Sequence, residues 1–164
     1  MQLTSSDFQE GDTLDMVHVG KSEHGFGCGG GDESPQLAWS GAPEGTKSFA
    51  VTCYDPDAPT GSGFWHWQVI NLPAEVTELP RNAGSADGSK LPAGAVQIRN
   101  DYGVKGYGGP CPPEGHGPHH YIFTVFAVTE EKLPLNADTS CAVTGFMLNH
   151  NNAGTAKLTG LFER

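Results

Sequence analysis

Glycine and proline interrupt this chain so often that long helices have little room to form. The sequence has 23 glycines and 12 prolines in 164 residues, which is about a fifth of the chain against about 12% in average proteins. Glycine weakens helices and proline ends them, so apolar runs between these residues favour strands joined by loops. The frequent glycines and prolines therefore predict a mainly β fold.

Four segments have the β-branched and aromatic composition that is typical of strands. The clearest is residues 120–128 (HYIFTVFAV), and residues 48–54 (SFAVTCY) alternate apolar and polar side chains until they reach an Asp-Pro pair. Residues 64–72 (FWHWQVINL) end at a proline, and residues 95–99 (AVQIR) are a shorter candidate. We expect these segments to form the sheet.

Helical spacing is confined to the last part of the chain. Residues 139–158 place apolar side chains at helical intervals after a Thr or Ser cap, although two glycines interrupt them, and the tail LTGLFER fits a further strand. Two loops are long, residues 74–94 and the glycine- and proline-rich residues 103–118. With no repeat or linker, the sequence predicts one domain over residues 1–164, an antiparallel β-sandwich with one or two peripheral helices.

Charge and segment composition exclude several function classes. The formal net charge of −10 would repel nucleic acid and anionic membrane surfaces. No apolar run approaches the length of a membrane helix, and MQLTSSDFQEGD lacks the features of a signal peptide, so we expect a cytoplasmic protein. In that compartment cysteines are normally reduced, and none of the four forms a C-x-x-C pair: Cys28, Cys53, Cys111 and Cys141.

Side-chain alternation brings polar groups together at the ends of the predicted strands. On residues 64–72, His66 should share a face with Phe64, Gln68 and Ile70. On the last long strand, His119 and Tyr121 should share a face that His120 does not. If the two strands are neighbours, then His66, His119 and Tyr121 meet at one end of the sheet.

Two aspartates leave the sheet beside these histidines. Asp55 and Asp57 lie in the sequence DPDAP, whose prolines stiffen the exit from the strand. A carboxylate bonded to one imidazole nitrogen fixes the tautomer and favours the charged ring, so that the outer nitrogen can donate to a phosphate or carboxylate oxygen. Backbone N–H groups of the glycine-rich loop could add donors. The residues therefore predict a small anion-binding pocket.

The same residues leave an enzyme open as an alternative. His66, His119, Asp55 and Asp57 include side chains that bind divalent metals, and Cys111 is the one plausible nucleophile beside them. No motif of a zinc protease, a serine hydrolase or a P-loop is present. A hydrolase or metal-assisted enzyme is thus the second hypothesis, and a binding protein without a resident cofactor is the first.

Two long motifs give the chain a family resemblance. YDPDAPTGSGFWHWQVINLP and GPCPPEGHGPHHYIFTVFAV, with LTSSDFQEGD near the start and LTGLFER at the end, resemble the phosphatidylethanolamine-binding protein (PEBP) family. The likeness is greatest to its bacterial, Raf kinase inhibitor-like branch and covers nearly the whole chain. It implies a β-sandwich-like fold with a pocket for phosphate-type anions and phospho-headgroups. The residues that it assigns to ligand binding are Asp55, Asp57, His66, His119 and Tyr121, with Gly109, Pro112 and Pro113 at the rim.

The resemblance also carries expectations about partners, and it has departures. Relatives that inhibit kinases or proteases imply a protein partner of that kind, and the bacterial branch implies a homodimer. The family usually reads H-R-Y where this chain has His119, His120 and Tyr121, so an arginine is replaced by the outward-facing His120. Asp32 stands where asparagine is frequent, which puts the anchoring of its loop in question, and two adjacent asparagines suggest a short C-terminal helix.

Overall fold

The computed structural model describes residues 1–164, and strands dominate it. The strands are β1 (Gln2–Thr4), β2 (Leu37–Ser40), β3 (Ser48–Asp55), β4 (Phe64–Pro73), β5 (Glu78–Leu79), β6 (Val96–Gln97), β7 (His119–Val128) and β8 (Asn152–Phe162). One α-helix, α1 (Cys141–His150), and two single-turn 3-10 helices, Met16–His18 and Ser22–His24, complete the fold. The larger sheet has the order β6-β4-β3-β7-β8 and the smaller β1-β2-β5, and all neighbouring strands are antiparallel.

The main core lies between the two sheets, as expected for a β-sandwich. Leu37, Trp39 and Leu79 of the smaller sheet belong to the same buried apolar cluster as side chains from the larger sheet. β3 is buried over nearly its whole length, which agrees with its near-continuous apolar sequence. The predicted antiparallel, mainly β architecture is confirmed.

A second apolar cluster fills the space between the other face of the larger sheet and α1. It includes Ile70 of β4 and Leu148 of the helix. Ser140 caps the helix by accepting a hydrogen bond from the N–H of Val143 at 3.2 Å. The helix is therefore peripheral, and it covers the face of the sheet that points away from the main core.

The predicted helix over residues 139–158 is too long, because the chain turns into β8 after Asn151. The side-chain amides of Asn151 and Asn152 donate to the carbonyls of Met147 and Leu148 at 2.8 and 2.7 Å. These bonds satisfy carbonyl groups that the last helical turn leaves free. The predicted strand in the tail exists but begins earlier, at Asn152, and the candidate strand 95–99 shrinks to β6.

A β-bulge corrects the predicted face of His66. Cys53 pairs with Trp67 while Tyr54 pairs with Trp65, which leaves His66 as an extra residue in β4. As a result His66 and Trp67 both point towards the main-core side, whereas Gln68 reaches the opposite face and donates to the carbonyl of Cys141 at 3.2 Å. The prediction that His66 shares a face with Gln68 and Ile70 was therefore wrong, because strict alternation does not hold across a bulge.

Candidate functional site

A cavity of about 260 Å³ opens where three strands of the larger sheet end or begin. Asp55 ends β3, Phe64 begins β4 and His119 begins β7. The antiparallel pairing brings these positions to the same end of the sheet. The cavity wall consists of Phe26, Asp55, Ala58, Pro59, Thr60, Phe64, His66, Tyr102, Cys111, Pro112, Pro113, His119 and Tyr121.

A buried carboxylate–imidazole pair forms the polar centre of the wall. Asp55 and His119 are each 2% exposed, and Asp55 Oδ2 accepts a hydrogen bond from His119 Nδ1 at 2.7 Å. The other carboxylate oxygen accepts from the N–H of Asp57 at 2.8 Å. The outer nitrogen of His119, Nε2, lies 2.7 Å from Nδ1 of His116, an exposed residue of the loop before β7. His119 therefore has hydrogen-bond partners on both ring nitrogens.

His66 sits in the wall as a neutral ring. Its Nδ1 donates to the carbonyl of Gly108 at 2.6 Å, and the N–H of Gly108 donates back to the His66 carbonyl at 2.9 Å. Burial lowers the pKa of His66 to about 4 against the opposing effect of the Gly108 carbonyl. At neutral pH Nε2 thus carries no proton and acts as a hydrogen-bond acceptor.

Tyr121 contributes a buried hydroxyl that no protein group satisfies. Its side chain is fully buried, its ring centroid lies 5.2 Å from that of His66, and its Oη has no hydrogen-bond partner in the protein. Burial, followed by the negative charge of Asp55, raises the pKa of Tyr121, so the hydroxyl stays protonated and can donate. Buried hydroxyls are normally hydrogen-bonded, so this one stands out.

Two of the predicted site residues lie outside the cavity wall and support it. Asp57 Oδ2 accepts from both the N–H and Nδ1 of His120, at 2.8 and 2.7 Å. Burial tends to raise the pKa of Asp57, but these two hydrogen bonds outweigh it and the pKa is lowered. His120 faces outwards as predicted, and it is the partner of Asp57. The remaining predicted residues, Asp55, His66, Pro112, Pro113, His119 and Tyr121, all line the cavity.

Gly109, the other predicted residue outside the wall, joins the glycine-rich loop to the N-terminal segment. Its N–H donates to Asp32 Oδ1 at 2.7 Å, and its carbonyl accepts from the Tyr102 hydroxyl at 2.8 Å. A Cβ at this position would lie 2.2 Å from the carbonyl oxygen of His18, so only glycine allows this approach. Asp32 also accepts from His24 at 2.9 Å, and it anchors its loop despite replacing the expected asparagine.

A disulfide reinforces the same junction. Cys28 and Cys111 are bonded across 83 residues with a Cα–Cα separation of 5.9 Å, within the usual range. The expectation that all four thiols are reduced was therefore wrong, since distant cysteines meet when the N-terminal segment folds over the loop. Cys111 lines the cavity, but in a disulfide it cannot be the nucleophile that the sequence suggested.

The remaining thiols and the metal-ligand geometry give little support to catalysis. Cys53 is fully buried, and burial raises the pKa of Cys141 to about 12, so neither side chain offers a thiolate near neutral pH. No three side chains of His, Cys, Asp or Glu are arranged to hold one metal ion. Asp55 is the only acidic residue in the wall, which contains neither lysine nor arginine.

Several wall residues were missed by the sequence analysis. Phe26, Phe64 and Tyr102 give the cavity aromatic sides, with the rings of Phe64 and Tyr102 4.7 Å apart. Only the folded N-terminal segment brings Phe26 to the loop, and no local pattern indicates it. His116 lies outside the wall but contacts His119, and its position three residues before His119, between two glycines, could have indicated it.

No helix in the chain has the length and apolar character needed to cross a membrane.

Comparison with known sequences identifies relatives along the whole chain. The family model described as "Phosphatidylethanolamine-binding protein" matches residues 4–163. The chain is 57% identical to UPF0098 protein YbcL of Escherichia coli K12, over 99% of this chain and 87% of that protein. It is 46% identical to UPF0098 protein YbhB of the same strain, over 99% of this chain and all of that protein.

Solved structures agree with this result. The crystal structure of E. coli YbcL, described as a new member of the mammalian PEBP family, superposes with a TM-score of 0.96 and covers 99% of this chain and 98% of that one. A putative PEBP homolog from Chlamydia trachomatis, 28% identical, superposes with a TM-score of 0.80 over 99% of this chain and 97% of that one. The chain therefore belongs to the phosphatidylethanolamine-binding protein family.

Proposed function

We propose that this protein uses the cavity beside Asp55 and His119 to bind a small phosphorylated or otherwise anionic ligand. Family membership supports a binding protein, and the polar wall supplies the contacts. Asp55, His66, His119 and Tyr121 would face the ligand, with Pro112 and Pro113 beside it and with Asp57 and Gly109 holding the wall in place.

The unsatisfied hydroxyl of Tyr121 is the observation that carries the proposal. A buried hydroxyl without a partner costs about 1–3 kcal/mol. An anionic oxygen in the cavity would accept a hydrogen bond from this hydroxyl and recover that free energy, while the neutral His66 could accept a hydrogen bond from a hydroxyl of the same ligand. A cavity of about 260 Å³ suits a headgroup-sized molecule rather than a large cofactor.

Replacing Tyr121 with phenylalanine should change stability and binding in opposite directions. Because the hydroxyl is unpaired, we expect Tyr121→Phe to leave the ligand-free protein as stable as before or more stable by about 1 kcal/mol. The affinity for phosphoethanolamine should fall about tenfold, since one hydrogen bond to the ligand is lost. Urea unfolding and isothermal titration calorimetry measure the two effects.

Tyr107 provides the matched control. Its buried hydroxyl donates to the carbonyl of His18 at 2.9 Å, outside the cavity wall. Tyr107→Phe should therefore lower the free energy of unfolding by about 1 kcal/mol and leave the affinity unchanged. If Tyr121→Phe binds phosphoethanolamine as well as the wild type does, the assignment of this hydroxyl to the ligand is wrong.

The alternative of a hydrolase or metal-assisted enzyme using the same cavity has less support. The disulfide occupies the one thiol at the wall, and no side-chain cluster fits a metal ion. We therefore favour a binding function without a resident cofactor.

Four further expectations come from the resemblance and from the sequence. A kinase or protease partner and a homodimer stay predictions, as does a single PEBP-like domain over residues 1–164. A cytoplasmic location was inferred from the N-terminal sequence, but the Cys28–Cys111 disulfide weighs against it because cytoplasmic thiols are normally kept reduced. We propose instead that the protein works in an oxidising compartment.

A further inference from the structure

We propose that His116 is part of the binding site, and that His116 and His119 together take up one proton when the cavity binds an anion. This inference rests on the proposed anion-binding function and adds to it the residue that makes binding depend on pH.

The contact between the two rings requires that one of the two facing nitrogens carries a proton and the other accepts a hydrogen bond from it. His119 Nδ1 donates to Asp55, so in the neutral ring Nε2 is bare and must accept from Nδ1–H of His116 across the 2.7 Å contact. Nδ1 of His116 is then protonated and its outer nitrogen, Nε2, is free. Because His116 is exposed, an added proton can enter at that nitrogen without breaking either hydrogen bond.

The loop holds His116 in this position. Gly115 and Gly117 have φ angles of 73° and 81°, which favour glycine. The N–H of Gly115 donates to the carbonyl of Arg164 at 2.9 Å, and the N–H of His116 donates to the carbonyl of Pro113 at 3.2 Å. The contact with His119 is thus part of a hydrogen-bonded loop.

Charge explains why an anion needs this proton. With both histidines neutral, the cavity wall carries the negative charge of Asp55 and no cation. His66 stays uncharged because burial lowers its pKa to about 4. The histidine pair is therefore the group beside the cavity that can gain a positive charge by taking up a proton.

Other titratable groups around the pair do not supply the charge. Asp57 is bonded to His120 outside the wall. Arg164 is not a wall residue, but its guanidinium donates to the carbonyls of Pro112 and Phe26 at 2.7 and 3.0 Å, and Glu114 lies 3.9 Å from it. Burial raises the pKa values of Tyr102 and Tyr121, and both hydroxyls stay protonated. The charged and titratable groups around the pair are Asp55, His66 and Tyr121 of the wall, Asp57 with its partner His120, and Glu114 and Arg164 of the neighbouring backbone segments.

Calorimetric titration with sulfate tests the proposal, because sulfate keeps the same charge from mildly acidic to mildly alkaline pH. Titrations of the wild type in buffers with different ionisation enthalpies give the number of protons taken up. We expect uptake of about one proton, and an affinity that falls about tenfold per pH unit once the pair is neutral. In His116→Gln, proton uptake should be mostly lost and the affinity at mildly acidic pH should fall about tenfold.

His150→Gln is the control, since His150 lies on the exposed end of α1 and outside the cavity wall. It should behave as the wild type does. Sulfate binding with no proton uptake, or with equal uptake in His116→Gln and the wild type, would overturn the role of His116 while leaving the anion site intact. A wild type that binds no sulfate at either pH would overturn both the site and this inference.

Discussion

Loss of the Cys28–Cys111 disulfide is expected to lower the free energy of unfolding by about 4 kcal/mol, because the bond closes a long loop in the unfolded chain. The bonded residues are 83 positions apart. The double variant Cys28→Ser/Cys111→Ser, compared with the wild type by urea unfolding, measures the change. We also expect weaker ligand binding, since Cys111 lines the cavity and Phe26 lies two residues before Cys28.

Reductant and thiol counting provide the controls for this prediction. Reductant should destabilise the wild type by a similar amount and leave the double variant unchanged. Unfolding the untreated wild type with an alkylating agent should label two thiols, Cys53 and Cys141. Labelling of four thiols without reductant would show that the disulfide does not form.

Protonation of His66 is expected to remove about 3 kcal/mol of stability on the acid side. Its ordinary pKa is 6.5, and burial lowers the pKa to about 4 in the folded protein. Between these values the unfolded chain binds more protons than the folded one. The stability that comes from a neutral His66 is therefore fully present above pH 6.5 and is lost as the pH falls towards 4. Urea unfolding at several pH values across this window measures the loss.

The variant His66→Gln isolates this effect from the titration of carboxylates. It removes the titrating ring, so its stability should fall less steeply than that of the wild type across the same window. His150→Gln should follow the wild type. Equal acid-side losses in His66→Gln and the wild type would mean that His66 is not held neutral by burial.

The sequence was sufficient for the strands that build the site. Residues 48–54, 64–72 and 120–128 show their strand character through local composition, and they became β3, β4 and β7. The alternation along β7 also held, so that His119 and Tyr121 face inwards and His120 outwards. These features follow from the alternation of side chains along a strand, every second residue lying on the same face, which the sequence pattern shows.

Features that depend on tertiary contacts could not be predicted from the local sequence. A bulge at His66 turns its side chain towards the cavity, and only the pairing with β3 reveals it. The Cys28–Cys111 disulfide needs the N-terminal segment to fold over the glycine-rich loop, a contact with no local signal. The end of α1 is local instead: the adjacent Asn151 and Asn152, which suggested a short helix, donate to helix carbonyls four residues earlier.

An amide-resolved NMR titration with phosphoethanolamine tests the binding function most directly, with ethanolamine as the matched ligand that lacks the phosphate. We predict saturable shifts at the amides of Asp55, His66, Cys111, His116 and Tyr121 with phosphoethanolamine, and none there with ethanolamine. Shifts that are absent at millimolar phosphoethanolamine, or that lie elsewhere on the chain, would contradict the assignment of this cavity to an anionic ligand.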